Sequence, residues 1–177
     1  MKTNITKMIY TSVFIALGIT LPVAFHVIPN AGNILAPMHI PILLCGLICG
    51  FPYGLTCGIL TPLLSNVLTG MPNVLYLPGM LCELAAYGLI SAFLMRFVRT
   101  NDLYADIYIS LGGAMLFGRL FYGIVNAFIF RAGQYSLRIW ATAAFVTAIP
   151  GITSQLILIP LVIVALQRAK LIEKRYP

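Results

Sequence analysis

Two opposite charges stand in stretches that otherwise hold almost none. Glu83 lies in LPGMLCELAAYGL and Arg119 in AMLFGRLFYGIVNAF, each flanked by enough apolar residues to sit at membrane depth. A charge at the centre of a bilayer costs about 2.5–3.5 kcal/mol on insertion scales, so it is kept only facing protein, water or a partner. Arg119, Tyr122 and Asn126 recur at i, i+3, i+7, Glu83 and Tyr87 at i, i+4, and Thr147, Gly151 and Ser154 at i, i+4, i+7. Each set shares one face of a helix. A cavity bounded by these faces has aromatic walls and a single guanidinium, which grips a carboxylate at two points. The alternative is architectural, with Glu83 and Arg119 paired to lock two helices together. The two readings are compatible, because a ligand carboxylate competes for Arg119.

A second stretch, PMHIPILLCGLICG at residues 37–50, sets His39 between two prolines ahead of Cys45 and Cys49. Zinc sites use close pairs such as C-x-x-C, and His39 stands six residues from Cys45, so no metal is expected. No GxSxG or HExxH pattern supplies a nucleophile or a metal-activated water, which weighs against an intramembrane enzyme acting through His39 or Glu83. His39 is either satisfied by loop carbonyls or part of the pocket. No cofactor is expected, and no GxxxxGK[ST] loop is present to hold ATP.

The elements that must position these residues are membrane helices. Of 177 residues, 60% are hydrophobic and 8% charged, and the mean hydropathy is +0.98. A soluble domain of this length cannot cover so much apolar surface. Apolar runs near 8–28, 37–50, 53–69, 77–97, 104–130 and 139–167 predict an all-α, integral membrane six-helix bundle, one domain over residues 1–177. The second run is too short to span upright and ends at the turn marked by Gly50, Pro52 and Gly54. Pro62, Pro150 and Pro160 fall inside helical runs, where a missing donor predicts kinks in helices three and six. The opening MKTNITK resembles a signal n-region but leads into a run read as a retained helix. Cys45, Cys49, Cys57 and Cys82 all lie in apolar segments and behave as small hydrophobes, with no disulfide framework implied.

Basic residues set the orientation. With the N-terminus cytoplasmic, Lys2, Lys7, Arg96, Arg99, Arg168, Lys170, Lys174 and Arg175 fall inside, and only Arg131 and Arg138 fall outside. Both termini are then cytoplasmic, and Glu83 and Arg119 lie in the outer half of the bundle. The net charge of +7 follows from this bias and from anionic headgroups, so no nucleic acid partner is implied. Six helices without inverted repeats make a poor self-sufficient carrier.

The run PMHIPILLCGLICGFPYGLTCGILTPLLSNVLTGMP, followed by ELAAYGL and GRLFYG, resembles the substrate-binding S components of energy-coupling factor (ECF) vitamin transporters, in particular the pantothenate and cobalamin binders. The resemblance covers nearly the whole chain. It implies a subunit in a prokaryotic plasma membrane, without chemistry of its own, that captures a small water-soluble vitamin or precursor from outside. A pantothenate-like acid is favoured, because Arg119 suits a carboxylate, while cobalamin, pyridoxine-type compounds, folate and nucleobase-like precursors stay open, since one guanidinium and several aromatics suit many polar ligands. The cargo would lie between loop one (residues 26–37), loop three (GMPNVLY, residues 70–76, with Asn73) and helices four to six. Carried onto this sequence, the binding residues are Arg119, Glu83, Tyr87, Tyr122, Asn126, His39, Asn73, Thr147 and Ser154. The implied partners are a membrane coupling subunit and two cytoplasmic ATPases, forming an ABC-type importer. Small residues four apart on helix one, usually alanines in this family, would meet the coupling subunit. Here the match is Ser12 and Ala16, with Thr20 one turn on, so a serine replaces one alanine.

Overall fold

Apolar runs bounded by glycine and proline become helices, and the order follows the sequence. The computed structural model describes residues 4–25, 36–127, 140, 142, 147–173 and 175–176. Among them are six helices and no strand: α1 (Asn4–Phe25), α2 (His39–Cys49), α3 (Tyr53–Thr69), α4 (Leu77–Phe97), α5 (Leu103–Val125) and α6 (Ile149–Arg168). Four of them, α1, α4, α5 and α6, are long and apolar enough to cross a membrane. Loop one from residue 26 to 35, Lys2, Arg131, Arg138 and Lys174 lie outside the described residues.

The short α2 is the centre of the bundle. Its 11 residues rise about 16 Å at 1.5 Å per residue. It packs against all five other helices. Pro41 through Leu47 are buried without interruption, so the helix is apolar all round, as a fully enclosed helix must be. Around it α4 runs against α2, α3 and α5. The α3–α4 contact is backbone on backbone. A Cβ at Gly88 would land on the carbonyl oxygen of Gly54, and one at Gly54 on that of Gly88. Only glycine at both positions lets the two helices come this close.

Outward faces remain apolar. On α1, Ile5, Met8, Ile9, Val13, Leu17 and Val23 are all exposed. In water this surface would be an aggregation hazard; against lipid tails it is the expected covering.

The proline expectations divide. Pro62 and Pro160 do lie inside α3 and α6. Pro150 does not kink a helix, because α6 begins at Ile149 and Pro150 sits in its first turn. Its missing donor is harmless there, since first-turn N–H groups have no intrahelical acceptor. Of the run expected from residue 139, Ile149–Arg168 forms α6, and Trp140, Thr142 and Thr147 ahead of it also have helical backbone; residues 139, 141 and 143–146 lie outside the described residues.

One end of the bundle is tied by polar contacts. Asp106, fully buried in the first turns of α5, accepts from the backbone N–H and the hydroxyl of Thr100, both at 2.8 Å. Its other oxygen accepts from the Tyr176 hydroxyl at 2.6 Å and forms an ion pair with Arg175 Nε at 2.6 Å. Arg175 also donates to the Val98 carbonyl, and the Tyr10 hydroxyl donates to Leu171 O at 2.7 Å. The chain after α6 thus bridges α1 and the α4–α5 turn. At the opposite end lies the loop at residues 70–76.

Candidate functional site

Glu83, Arg119 and Gln155 each sit six residues from the loop-end terminus of their helices, α4, α5 and α6. At 1.5 Å per residue that is a common depth of about 9 Å. Glu83 and Arg119 make no direct ion pair among the described residues. Instead the Tyr87 hydroxyl stands between them, donating to Glu83 Oε1 at 3.1 Å and accepting from Arg119 Nε at 3.2 Å. One hydroxyl both gives and takes, so the two charges are held through a neutral relay. Tyr87 is fully buried, and its ring lies where a side chain on Gly118 of α5 would be. That bare backbone patch is what lets the ring lie across α5.

Arg119 is 8% exposed, and its Nη1 has no hydrogen-bond partner among the described residues. A buried guanidinium nitrogen without an acceptor is costly unless something else supplies one. The Trp140 indole donates to the Arg119 carbonyl at 3.1 Å, and its ring lies over Gly123, one turn on. Arg119 also lines an open cleft of about 180 Å³ between α5 and α6, with Gly112, Met115, Leu116, Ile152 and Leu156.

His39 sits deeper than the mouth of a cavity. Its ring packs edge-on against Tyr87, with centroids 5.3 Å apart, and its Nδ1 is buried without a partner among the described residues. Because α2 starts inside the bundle, the first residue of that helix reaches the level of Tyr87, ten residues into α4.

The remaining expected residues separate into two groups. Tyr122 and Asn126 face Gly79 on α4, and the Asn126 amide donates to Tyr122 O at 2.9 Å in a wider, π-type turn that ends α5. They lie nearer the loop end than Arg119, on the same helix. Asn73 is exposed and shapes loop three: its side chain accepts from Leu75 N–H at 3.0 Å, and its carbonyl accepts from Tyr76 and Leu77. Thr147 is exposed ahead of α6, and Ser154 donates to Gly151 O at 2.8 Å in its own helix. The inward polar position of α6 is Gln155, which follows Gly151 by one turn and is 1% exposed. Both atoms of its amide lack partners among the described residues. A polar amide inside the apolar run ITSQLILIP, four residues after a glycine, was the signal for it.

Among the described residues, buried polar atoms without partners thus lie at one depth in α5 and α6 of a bundle of apolar helices. A family model, that of the ECF transporter, substrate-specific component, matches residues 6–164. The chain belongs to this family. No curated protein and no solved structure matches it. As an ECF substrate-specific component it is a transport subunit and a multi-pass membrane protein, one that binds substrate and works with an ECF module. Among the described residues of this ECF component, Arg119 Nη1 and both side-chain amide atoms of Gln155 are buried without a hydrogen-bond partner. Its α1 carries Ser12, Ala16 and Thr20 on an exposed face, with the Ser12 and Thr20 hydroxyls turned back onto Met8 O and Ala16 O at 3.0 Å. Hydroxyls spent in this way leave a flat and effectively apolar strip.

Proposed function

We propose that the chain captures a small water-soluble vitamin or precursor bearing a carboxylate, with pantothenate the favoured candidate, and that Arg119 holds the acid. The observation that carries this reading is the unmet Nη1 of a guanidinium already aimed by Tyr87. Substrate enters from the loop end, which faces the exterior, and both termini are cytoplasmic in a prokaryotic plasma membrane. Glu83 balances the guanidinium through Tyr87 and keeps it from competing ion pairs. His39, Tyr122 and Asn126 line the site, Asn73 shapes the loop above it, and Thr147 and Ser154 bound it at the start of α6. The Ser12, Ala16 and Thr20 strip docks on a membrane coupling subunit, which two cytoplasmic ATPases drive; the chain has no enzymatic activity of its own.

The test is a thermal-shift and equilibrium-binding panel of vitamins on the purified protein in detergent, beside copurification of the chain with ATPases. Stabilisation by a carboxylate vitamin, lost in Arg119→Met, supports the reading. A folded wild-type protein that binds no vitamin in the panel, or that drives uptake alone without ATPases, sinks it.

A further inference from the structure

Gln155 carries an amide whose burial costs the fold free energy. Its side-chain amide presents two donors and an acceptor, lies 1% exposed in the inward face of α6, and has no partner for either atom among the described residues. Burying unpaired amide atoms is unfavourable, and leucine at this position would pack without that loss. The neighbouring Ile152 and Leu156 line the cleft that Arg119 also lines. Gln155 stands at the same depth as Arg119, six residues from the loop end of its helix.

We infer that Gln155 is a specificity residue that reads an amide-type group, so that the cargo is an acid carrying an N–H donor and a C=O acceptor, as in a secondary amide or a ureide. The inference rests on the capture role proposed above and narrows its substrate class. A carboxylate or a ketone accepts from Gln155 Nε2 but leaves Oε1 unmet. An ammonium group does the reverse. An amide or ureide offers both, while its acid group meets Arg119 Nη1. A site built around buried polar atoms rejects analogues that leave those atoms unpaired far more strongly than an apolar pocket rejects a change in size.

The probes are matched by chemistry. Pantothenate and biotin are acids with an amide and a ureide; pantoate, nicotinate and lipoate are acids with neither. Wild-type protein is expected to bind pantothenate or biotin at least about tenfold more tightly than any of the three others. Gln155→Leu should level that difference while leaving the ligand-free protein as thermostable as wild type or more so. Gln155→Glu, which keeps the shape and adds a negative charge, should weaken both amide-bearing acids. Arg119→Met should weaken all five. Equal binding of the two classes by wild type overturns the inference, as does discrimination that survives Gln155→Leu. A Gln155→Leu protein that melts earlier assigns the residue to structure and also overturns it. Binding of a vitamin without a carboxylate and no acid in the set overturns the inference and the acid-holding role of Arg119 but leaves vitamin capture standing; binding of no vitamin removes all three.

Discussion

Replacing Tyr87 with phenylalanine removes one oxygen and leaves the ring that packs on Gly118 and against His39. That oxygen makes two hydrogen bonds, to Glu83 at 3.1 Å and from Arg119 at 3.2 Å. A hydrogen bond to a charged partner contributes about 1.5–3 kcal/mol, which sets an upper figure of about 3–6 kcal/mol for the pair. Both distances lie at or beyond the long end of the usual range, so the lower half of that figure is the better guess. Glu83 and Arg119 also lie close enough to relax towards one another once the hydroxyl is gone. Tyr87→Phe is therefore expected to destabilise the protein by about 2–4 kcal/mol. Trp140, the chain's single tryptophan, donates to the Arg119 carbonyl and so reports on the site by fluorescence. Equilibrium unfolding in mixed micelles, followed by that signal and by far-ultraviolet circular dichroism, measures the change. A destabilisation under about 0.5 kcal/mol would mean that Glu83 and Arg119 satisfy each other directly and that the relay does not hold them.

Arg119→Met should weaken capture of a carboxylate ligand by about tenfold or more, equivalent to about 1.4 kcal/mol, measured by calorimetry on a folded variant; unchanged affinity would remove Arg119 from the site. If the single variant unfolds because Glu83 is stranded, adding Glu83→Gln should restore a cooperative melt, since the buried charge goes with its partner. Ser12→Leu with Ala16→Leu should abolish uptake in cells expressing the whole transporter while the purified chain binds its ligand as before, because the strip is on an exposed face of α1 away from the polar cluster; retained uptake would count against a docking role. Gly88→Ala forces a methyl group onto the Gly54 carbonyl and should cost about 1–3 kcal/mol by overpacking, read as an earlier thermal transition. No change there would mean that α3 and α4 separate more easily than their contact implies.

The positions of α3 and α4, and the burial of Arg119 within α5, were legible because both signals are strong against an apolar background: a charge in a twenty-residue hydrophobic run has few places to go. The Glu83–Tyr87 spacing was also plain, being one helical turn. What lay outside the reach of sequence was Tyr87's second partner, because Arg119 reaches that hydroxyl only through the packing of α5 on α4 over Gly118. Gln155 was hidden for another reason. The i, i+4, i+7 pattern through Thr147, Gly151 and Ser154 drew the polar face of α6 about one residue away from the face that is buried, and Ser154 satisfies itself on Gly151. The depth of His39 depends on α2 being short and enclosed, which periodicity does not reveal for a helix apolar on all sides. Arg175, counted in the sequence as an orientation charge, also serves as the partner of a buried aspartate.

That aspartate imposes an order on biogenesis. Asp106 and its Tyr176 partner are 70 residues apart, and a ribosome delivers the first well before the second. While α6 is still being made, the start of α5 carries a carboxylate with Thr100 as its only partner among those seen in the finished fold. The contacts within the α4–α5 turn can therefore form as soon as α5 has begun, whereas those to Asp106 Oδ2 wait for the chain beyond α6 to arrive with Arg175 and Tyr176.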